Sequence, residues 1–318
     1  MRESSKIWMN GRLVKWSDAK VHVLTHSLHY GTGVFEGIRF FDTPHGPAVF
    51  RLREHVTRLF DSAKIYMMKM PFTPDEIFEG VLATANASGL DEGYVRPLAY
   101  YGYGEMGLNP LPNKVSVSIA AWSWPSYLGE EAERRGVRCL VSSWRRIHPS
   151  ILPPQAKATA NYANSALAKV EAIKAGYDEA IMLNMDGMVT EATGENVFRV
   201  KDGFVSTPPA STGVLRGITR DSVITFVKEL GLQFRRNDFS REELYSSDEV
   251  FLTGTAAGVT PVREIDGRPI GNGTWPVTEK IKRAYSDAVH GKNSTFSHWL
   301  TPINPRRSTA RNPSPTPH

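Results

Sequence analysis

Four short segments, beginning near the middle of the chain, limit what this sequence can fold into. The first surrounds Lys157, and the others cover residues 191–196, 215–220 and 254–257. A lone lysine is most often a solvated surface residue. Here the lysine is followed in order by a turn with two glutamates, a glycine that opens a helix, and a Gly-Thr-Ala-Ala turn. Together they supply a nucleophile, acids and phosphate donors, so we expect a fold that gathers them at one enzyme site.

The length and composition predict a folded protein of two domains. At 318 residues the chain exceeds the roughly 250–300 residues at which single cores stop growing. No apolar run approaches the roughly 18 residues of a membrane span, and the first residues lack the apolar region of a secretory signal. The one cysteine, Cys139, allows no intramolecular disulfide and suits a reducing compartment. We therefore expect a cytoplasmic protein without a membrane partner, with Cys139 in a buried strand.

The net charge of +5 is concentrated at the C-terminal end. Residues 288–318 contain four basic residues and no acid, which leaves the rest of the chain near +1. This distribution argues against a nucleic-acid partner. Five prolines lie in the same stretch among Ser, Thr and Asn. We therefore predict that the basic, proline-rich residues 291–318 are disordered.

Hydrophobic periodicity predicts an α/β protein. A hairpin turns at residues 10–11 (Asn-Gly), and Thr73 is predicted to cap a helix that has Asp75 and Glu76 in its first turn. Further helices are predicted over 52–66, 163–175 and 218–230, and strands over 94–101, 115–122 and 137–142. The regular pattern breaks after residue 122. We therefore predict a small N-terminal α/β domain (1–122), a linker that lines the site (123–133) and a large C-terminal domain (134–290). The C-terminal domain contains all four segments.

The four segments match the needs of an enzyme that uses pyridoxal 5'-phosphate (PLP). Such an enzyme provides an amine that forms a Schiff base with the cofactor, a carboxylate against the pyridine nitrogen, and donors for the phosphate. Lys157 supplies the amine, among small neighbours that leave room for a flat ring. Glu191 and Glu195 are both available as the carboxylate. Gly217 opens a helix whose free N–H groups suit a phosphate, and the turn at 254–257 offers further donors.

These segments resemble the class IV (fold type IV) PLP-dependent aminotransferases, and among them most closely the branched-chain amino acid aminotransferases. The motifs are Lys-Ala-Thr-Ala-Asn-Tyr, Glu-Ala-Thr-Gly-Glu-Asn, Leu-Arg-Gly-Ile-Thr-Arg-Asp and Gly-Thr-Ala-Ala. In the first half, residues 29–39 (with Val-Phe-Glu-Gly-Ile-Arg), 94–97 (Tyr-Val-Arg-Pro) and 127–129 (Tyr-Leu-Gly) fit the same family. The resemblance runs from about residue 7 to 290 and implies a smaller N-terminal α/β sandwich and a larger C-terminal β-pseudobarrel flanked by helices.

The resemblance implies roles for individual residues of the cofactor site. Lys157 would be the catalytic residue. It would bind the cofactor covalently and carry the proton between Cα of the amino acid and C4′ of the cofactor. Tyr162 would hydrogen-bond the cofactor's phenolic oxygen. Glu191 would pair with the pyridine nitrogen and Glu195 would support it. The remaining cofactor contacts would come from Arg58, Leu215, Gly217, Ile218, Thr219 and Thr255.

For the substrate, the resemblance implies a pocket shared between the subunits of a homodimer, the smallest active assembly. Tyr94 and the amides of Ala256 and Ala257 would bind the α-carboxylate. Arg96 would meet the distal carboxylate of glutamate. The side-chain pocket would be lined by Phe35, Gly37, Trp124 and Tyr127, with Tyr30, Met106 and Leu108 from the second subunit. The implied reaction, within branched-chain amino acid biosynthesis, is transamination of branched-chain or other apolar L-amino acids with 2-oxoglutarate or glutamate.

Two positions depart from the family pattern, and other functions stay open. Gly258 stands where the family commonly has glutamate, and Glu105 would bring a charge near an aliphatic pocket. Alternatives are a D-amino acid or amine transaminase, an aminodeoxychorismate lyase, or a non-catalytic binding protein. The Gly-x-Gly-x-x-Gly at 102–107 lacks the helix and acid of a dinucleotide site. His22 and His26, in a segment predicted as extended, lack a zinc motif, so we expect no metal.

Overall fold

The structure, a computed structural model, describes residues 2–124 and 129–303. Its α-helices are α1 (His26–Tyr30), α2 (Leu52–Ile65), α3 (Pro74–Ser88), α4 (Glu130–Arg135), α5 (Asn161–Lys174), α6 (Ile218–Glu229), α7 (Arg241–Tyr245) and α8 (Pro276–Val289). Short 3₁₀ helices cover Trp16–Asp18, Ala210–Thr212 and Ser294–Trp299. No helix in these two ranges is long and apolar enough to cross a membrane.

Local sequence signals determine where α3 begins and ends. The side chain of Thr73 accepts from the N–H of Glu76, and the Glu76 carboxylate accepts from the N–H of Thr73 at 2.7 Å. This reciprocal capping box satisfies two backbone donors that the helix leaves without partners. Pro74 occupies the first turn, and Gly89 ends the helix in the left-handed conformation, with φ 64°. The predicted cap at Thr73 is confirmed.

The first sheet is antiparallel. Its strands are β1 (Arg2–Glu3), β2 (Lys6–Met9), β3 (Arg12–Lys15), β4 (Gly33–Phe35), β5 (Ile38–Phe41), β6 (Ala48–Phe50), β7 (Gly93–Tyr101) and β8 (Val115–Ser123). They run in the order β6-β5-β7-β8-β2-β3, with β1 paired to β8 and β4 paired to β7. The predicted hairpin is β2–β3, in which Asn10 and Gly11 both have positive φ, as such a tight turn requires.

The second sheet closes into a barrel. Its strands are β9 (Val137–Val141), β10 (Glu179–Leu183), β11 (Val189–Ala192), β12 (Asn196–Lys201), β13 (Phe204–Thr207), β14 (Gln233–Arg236), β15 (Glu249–Gly254), β16 (Gly258–Ile265) and β17 (Arg268–Pro269). The order β11-β10-β9-β16-β15-β12 becomes a six-stranded ring because β11 also pairs with β12, at Glu191 and Asn196. The expected α/β fold with a strand barrel is confirmed.

The hydrophobic cores follow this division. One core packs α2 and α3 against the first sheet and includes Ile38, Leu59 and Ile119. A second fills the interior of the barrel and includes Cys139, which lies buried in β9 as predicted. A third packs α6 and α8 against the outer side of the barrel, and Phe50 of the first sheet joins it. The two sheets are therefore connected by side-chain packing as well as by the chain.

The prediction of disorder from residue 291 onward is wrong for its first part. The chain forms the 3₁₀ helix Ser294–Trp299 and then β18 (Leu300–Pro302), which pairs with β6 of the first sheet. Phe296 is buried against the third core, and Trp299 packs on the same cluster. These apolar side chains bury enough surface to order the segment, although its composition resembles a linker. Residues 304–318 lie outside the described ranges.

The predicted domain boundary coincides with the change from one sheet to the other. The last consecutive strand of the first sheet ends at Ser123, and the second sheet begins at Val137. The intervening segment contains α4, and residues 125–128 lie outside the described ranges. Only β18 returns from the second half of the described chain to the first sheet. The division into domains at 1–122 and 134–290 stays a prediction.

Candidate active site

Lys157 lies in the loop before α5, where the two sheets meet. Its Nζ donates to Tyr162 Oη at 2.7 Å and lies 5.0 Å from the centre of the Phe35 ring. The backbone of Lys157 is held on both sides, because its N–H donates to Ser62 Oγ at 3.0 Å and its carbonyl accepts from the N–H of Phe35. The amine is therefore fixed between the first sheet, α2 and the first turn of α5.

A cavity opens beside this amine. Its lining brings together residues of all four segments recognised in the sequence: Lys157, Tyr162, Glu191, Glu195, Leu215, Gly217, Ile218, Thr219 and Thr255, together with Arg58 from α2. Each of these was predicted as a cofactor contact. The fold of the barrel and its helices therefore brings these four segments, which are distant in sequence, to one cavity.

Glu191 lies at the end of β11 with its carboxylate fixed from several directions. Its Oε2 accepts from the N–H of Leu215 at 2.9 Å and from Asn196 Nδ2 at 3.1 Å. Arg146 Nε lies 2.9 Å from Glu191 Oε1, close enough for an ion pair but without hydrogen-bond alignment. Burial raises the pKa of Glu191, whereas Arg146 and the Leu215 N–H oppose the rise. These partners fix the orientation of the Glu191 carboxylate.

Glu195 has a different environment, although it is only four residues away. It is buried and accepts from the N–H of Gly194 at 3.1 Å. Burial and the neighbouring Glu179 raise the pKa of Glu195 to about 8, despite Lys169. Lys169 instead forms a 2.6 Å ion pair with Glu179. A pKa of about 8 leaves Glu195 protonated near pH 7. Glu191 differs in its surroundings, because it has Arg146 and two hydrogen-bond donors at its carboxylate.

We predict that Glu195→Gln changes how stability depends on pH. The folded protein holds the Glu195 proton up to about pH 8, whereas the unfolded chain releases it near 4.5. The stabilisation is therefore complete below pH 4.5 and is lost as pH rises through 8. Since glutamine does not titrate, the variant should equal the wild type at about pH 4 and exceed it at about pH 9 by up to about 5 kcal/mol.

Urea unfolding of both proteins at a series of pH values measures this difference. The exposed residue Glu242 provides the control, because Glu242→Gln should follow the wild type at every pH. A stability difference between Glu195→Gln and the wild type that stays constant from about pH 5 to 9 would contradict the assignment of a neutral Glu195.

The start of α6 forms another part of the cavity wall. Gly217 is the N-cap, and no side chain caps the free N–H groups of the first turn. Glycine is required there, because a Cβ on Gly217 would lie 2.0 Å from Asn196 Oδ1. Free amides and the positive end of the helix dipole make this a site for an anion such as a phosphate.

Arg58 was predicted from the resemblance, and its position depends on residues that sequence reasoning missed. Its Nε donates to Glu36 Oε1 at 2.6 Å and its Nη2 to Glu36 Oε2 at 2.8 Å. His55 Nδ1 also lies 2.7 Å from Glu36 Oε2. Burial opposes ionisation of Glu36, but Arg58 and His55 hold its pKa below the usual range. The contact between Glu36 and Arg58 joins residues 22 apart, which no periodicity in the sequence reveals.

A second cavity adjoins the first across Lys157, Tyr162 and Glu195. Its other lining residues include the predicted substrate contacts Phe35, Gly37, Tyr94, Arg96, Trp124, Ala256 and Ala257, and also Leu98 and Thr159, which were not predicted. The guanidinium of Arg96 lies 4.8 Å from the centre of the Phe35 ring and donates to Tyr94 Oη at 3.2 Å. A Cβ at Gly37 would lie 1.8 Å from Tyr94 Oη, so only glycine permits this arrangement.

Some predicted site residues are not brought to these cavities. Tyr30, Met106 and Leu108 line neither cavity of their own chain within the described residues, and Tyr127 lies outside those residues. Tyr30 Oη donates to the Met106 carbonyl at 2.9 Å, and Leu108 is 81% exposed. Tyr30, Met106 and Leu108 therefore lie outside both cavities of the single chain.

The departures from the family pattern have local explanations. Glu105 is exposed in the single chain, and Asn113 holds its backbone through two hydrogen bonds of 2.6 and 2.9 Å. Gly258 has φ +64°, a conformation that side chains rarely adopt. His26 corrects one expectation, because it begins α1 rather than lying in an extended segment. Its ring contacts Thr32 Oγ1 and the Gly107 carbonyl, so it is occupied structurally.

The chemistry of the first cavity suits a phosphorylated aromatic aldehyde. Its walls carry an amine, an oriented carboxylate and an uncapped helix start. Thr253 and Asn161 also line it, and Thr253 Oγ1 and Asn161 Oδ1 are buried without a hydrogen-bond partner in the described part of the chain. Buried polar atoms of this kind are usually satisfied by a ligand or by water. The residues therefore fit PLP.

Comparison with known proteins agrees with the site. The family model for class IV amino-transferases matches residues 33–265. A branched-chain-amino-acid aminotransferase of Pseudomonas aeruginosa is 50% identical, over 93% of this chain and 96% of that protein. The crystal structure of a T.th. branched-chain amino acid aminotransferase with pyridoxamine 5'-phosphate is similar, with a TM-score of 0.93 and 48% identity over 96% of this chain and 100% of that one. The T.th. enzyme complexed with N-(5'-phosphopyridoxyl)-L-glutamate has a TM-score of 0.92 and 46% identity, with the same shares covered.

Proposed function

The chain belongs to the class IV aminotransferase family, and we propose that it exchanges amino groups between branched-chain L-amino acids and 2-oxoglutarate. It is a PLP-dependent enzyme, as its family and its structural relatives are. The observation that carries the substrate proposal is the position of Lys157, whose side chain lines both the cofactor cavity and an adjoining cavity with aromatic walls. One amine can therefore bind the cofactor and reach a substrate with an apolar side chain.

The bound cofactor supplies an electron sink for the charge that develops when an amino acid loses its α-proton. Lys157 takes and returns that proton, because its side chain carries an amine and lines both cavities. Tyr162 Oη, 2.7 Å from that nitrogen, orients it and bonds the phenolic oxygen of the ring. Glu191 keeps the pyridine nitrogen protonated, supported by the neutral Glu195.

The remaining residues of the cofactor cavity bind and orient. Arg58, the N–H groups of Ile218 and Thr219, and Thr255 hold the phosphate, while Leu215 and Gly217 shape the space for the ring. In the second cavity Tyr94 and the turn amides of Ala256 and Ala257 hold the α-carboxylate. The side chain of the substrate lies against Phe35, Gly37 and Trp124. Exclusion of water by these aromatic groups favours aliphatic side chains.

Arg96 is proposed to bind the second carboxylate of glutamate in the same pocket, as a hydrogen-bond donor. Its guanidinium is held between aromatic rings, 4.8 Å from the centre of Phe35 and 5.3 Å from that of Tyr94. Arg96→Gln should lower kcat/KM for glutamate by about 10- to 100-fold, the usual range for a charge-assisted hydrogen bond, and for leucine by less than about threefold. Steady-state kinetics with both donors measures the difference, with Arg138→Gln, outside both cavities, as the control. Equal losses for both donors would remove the proposed role.

A homodimer is proposed as the smallest active assembly. The face formed by residues 21–30 and 103–108 exposes Val23 (70%), Leu28 (63%), Tyr103 (61%) and Leu108 (81%). A bridge between Thr25 and Tyr103 and the bond from Tyr30 to Met106 hold this face in one shape. Rigid, contiguous apolar surface of this kind usually belongs to an interface. A second copy would cover it and bring Tyr30, Met106 and Leu108 to the partner's pocket.

Leu108→Asp should therefore give a monomer that has lost most of its activity. The introduced carboxylate would be buried in the interface without a partner, which costs several kcal/mol, about enough to dissociate a dimer. Multi-angle light scattering after size exclusion gives the mass of the assembly. Leu230→Asp, at an exposed leucine outside this face, should leave the wild-type mass unchanged. A dimeric, active Leu108→Asp protein would contradict the shared site.

A panel of 2-oxo acids with L-glutamate as amino donor tests the function as a whole. The proposal predicts fastest turnover with the 2-oxo acids of leucine, isoleucine and valine, and slow turnover with pyruvate. Faster reaction with D-amino donors or with simple amines would favour the other transaminases of this fold, and release of pyruvate from aminodeoxychorismate would favour the lyase. We also infer a cytoplasmic location, supported by a single cysteine that is buried and free.

A further inference from the structure

Building on the proposed function, we propose that Glu36 is a positioning residue, which holds Arg58 so that two of its N–H groups face the phosphate of the cofactor. Glu36 touches neither cavity, so it would act only through Arg58. Glu36 would therefore affect the affinity for the phosphate without contacting the phosphate.

The contacts of Glu36 and Arg58 are unusually complete. Glu36 is fully buried, and both of its oxygens accept from Arg58, at 2.6 Å from Nε and 2.8 Å from Nη2. This two-point contact fixes the plane of the guanidinium as well as its position. Arg58 also donates from Nη1 to the Arg216 carbonyl at 3.0 Å, next to the start of α6. The guanidinium is thus aimed from the first sheet toward the helix that opens the phosphate site.

The remaining hydrogen-bonding capacity of Arg58 matches a phosphate. A guanidinium has five N–H groups, one on Nε and two on each terminal nitrogen. Glu36 occupies the N–H of Nε and one of Nη2, and the Arg216 carbonyl occupies one of Nη1. One N–H on each terminal nitrogen remains, and Arg58 lines the cofactor cavity. Two neighbouring donors of this kind match two oxygens of a phosphate.

Glu36 is itself held rigidly. Its Oε2 accepts from the N–H of Gly37 at 3.3 Å, and His55 Nδ1 lies 2.7 Å from the same oxygen. Since an ionised carboxylate only accepts, His55 Nδ1 carries a hydrogen and donates it to Glu36. Burial lowers the pKa of His55, which favours the uncharged imidazole. Glu36 therefore keeps one full charge partner, Arg58. A carboxylate fixed by its own donors can orient an arginine without moving itself.

The same face of α2 also holds the lysine loop. His55, Arg58 and Ser62 follow each other at helical spacing, and Ser62 Oγ accepts from the N–H of Lys157 at 3.0 Å. Because Glu36 joins two of these residues to the first sheet, it fixes the phosphate clamp relative to the amine. A change in its charge should therefore disturb the phosphate end of the cofactor before it disturbs the ring.

Comparison of two ligands tests the proposal. The cofactor is removed from the holoenzyme, and the dissociation constants of PLP and of pyridoxal, which lacks the phosphate, are measured by absorbance titration. In Glu36→Gln the dissociation constant of PLP should rise by on the order of 10- to 100-fold, the range for groups that orient a ligand-binding residue. The constant for pyridoxal should change less than about twofold. Glu264→Gln, which removes a carboxylate from Arg138 in the second sheet, should change neither constant.

A double variant separates positioning from general stabilisation. In Arg58→Gln the preference for PLP over pyridoxal should already be reduced, because only the start of α6 and Thr255 still hold the phosphate, and adding Glu36→Gln should reduce it no further. If Glu36→Gln does not fold, Glu36→Asp replaces it, because the shorter carboxylate keeps the charge but cannot span both nitrogens. A parallel weakening of PLP and pyridoxal, or an undiminished effect of Glu36 when Arg58 is absent, would overturn the proposal. Failure of the wild-type protein to bind PLP at all would instead refute the proposed function.

Discussion

Replacing Lys157 with alanine is expected to abolish transamination, with a fall in kcat on the order of 10⁴-fold or more. The Nζ of Lys157 lies between the cofactor cavity and the substrate cavity, 2.7 Å from Tyr162 Oη. Alanine removes both the covalent attachment of the cofactor and the base that moves the α-proton. Arg58, the start of α6 and Glu191 remain, so the variant should still bind some PLP without covalent attachment.

Two measurements separate this expectation from a loss of folding. Single-turnover assays with leucine give the rate of proton removal, and the absorbance of the bound cofactor reports its attachment. Lys174→Ala, at an exposed position in the last turn of α5, should retain wild-type turnover. Turnover of Lys157→Ala within about tenfold of the wild type would show that another group performs the proton transfer.

Glu191→Gln should have the second-largest effect, with kcat lowered on the order of 10²- to 10³-fold. Glutamine keeps the size of the side chain and can still accept from the N–H of Leu215. It lacks the negative charge that keeps the pyridine nitrogen protonated, so the ring withdraws electrons less strongly. It also leaves Arg146, 2.9 Å from the carboxylate in the wild type, without its buried partner.

Since Glu191 lies in the ring cavity and Glu36 lies behind the phosphate, their variants should differ in kind. Glu191→Gln should lower kcat while the dissociation constant of PLP changes little, because the phosphate contacts remain intact. Glu264→Gln, which also separates a glutamate from an arginine, should leave kcat unchanged. A normal kcat in Glu191→Gln would assign the pyridine contact to Glu195 instead, the other carboxylate of the same turn.

The local elements were predictable because their signals lie within a few residues of one another. The cap of α3 at Thr73, the hairpin turn at Asn10 and Gly11, and the apolar spacing of α2 each depend on neighbours in sequence. The four segments of the cofactor cavity were recognisable for the same reason. Each is a short loop or helix start whose residue types suit one part of the chemistry.

The features that sequence reasoning missed depend on distant partners. Glu36, between β4 and β5, pairs with Arg58 of α2. Arg146 pairs with Glu191 from a loop that has no periodic pattern. The difference between Glu191 and Glu195 is of this kind too, because it arises from Arg146 on one side and Glu179 on the other. A carboxylate's role depends on its donors and neighbouring charges, which are known only once the barrel has closed.

The tail shows the limit of composition as a guide. Prolines and basic residues suggested disorder from 291, yet Phe296 and Trp299 anchor a strand on β6. Trp299 also accepts a backbone hydrogen bond from Arg51, which pairs with Asp221 in the first turn of α6. A few apolar side chains that pack on a core can therefore order a segment whose average composition is typical of disorder.

The covalent link between Lys157 and the cofactor is the central claim, and chemical trapping tests it most directly. Reduction of the holoenzyme with borohydride converts such a link to a stable secondary amine, which survives proteolysis. Mass spectrometry of the peptides should locate the phosphopyridoxyl group on Lys157 at near-complete occupancy. Recovery of an unmodified Lys157 peptide, or the label on another lysine such as Lys169, would contradict the account.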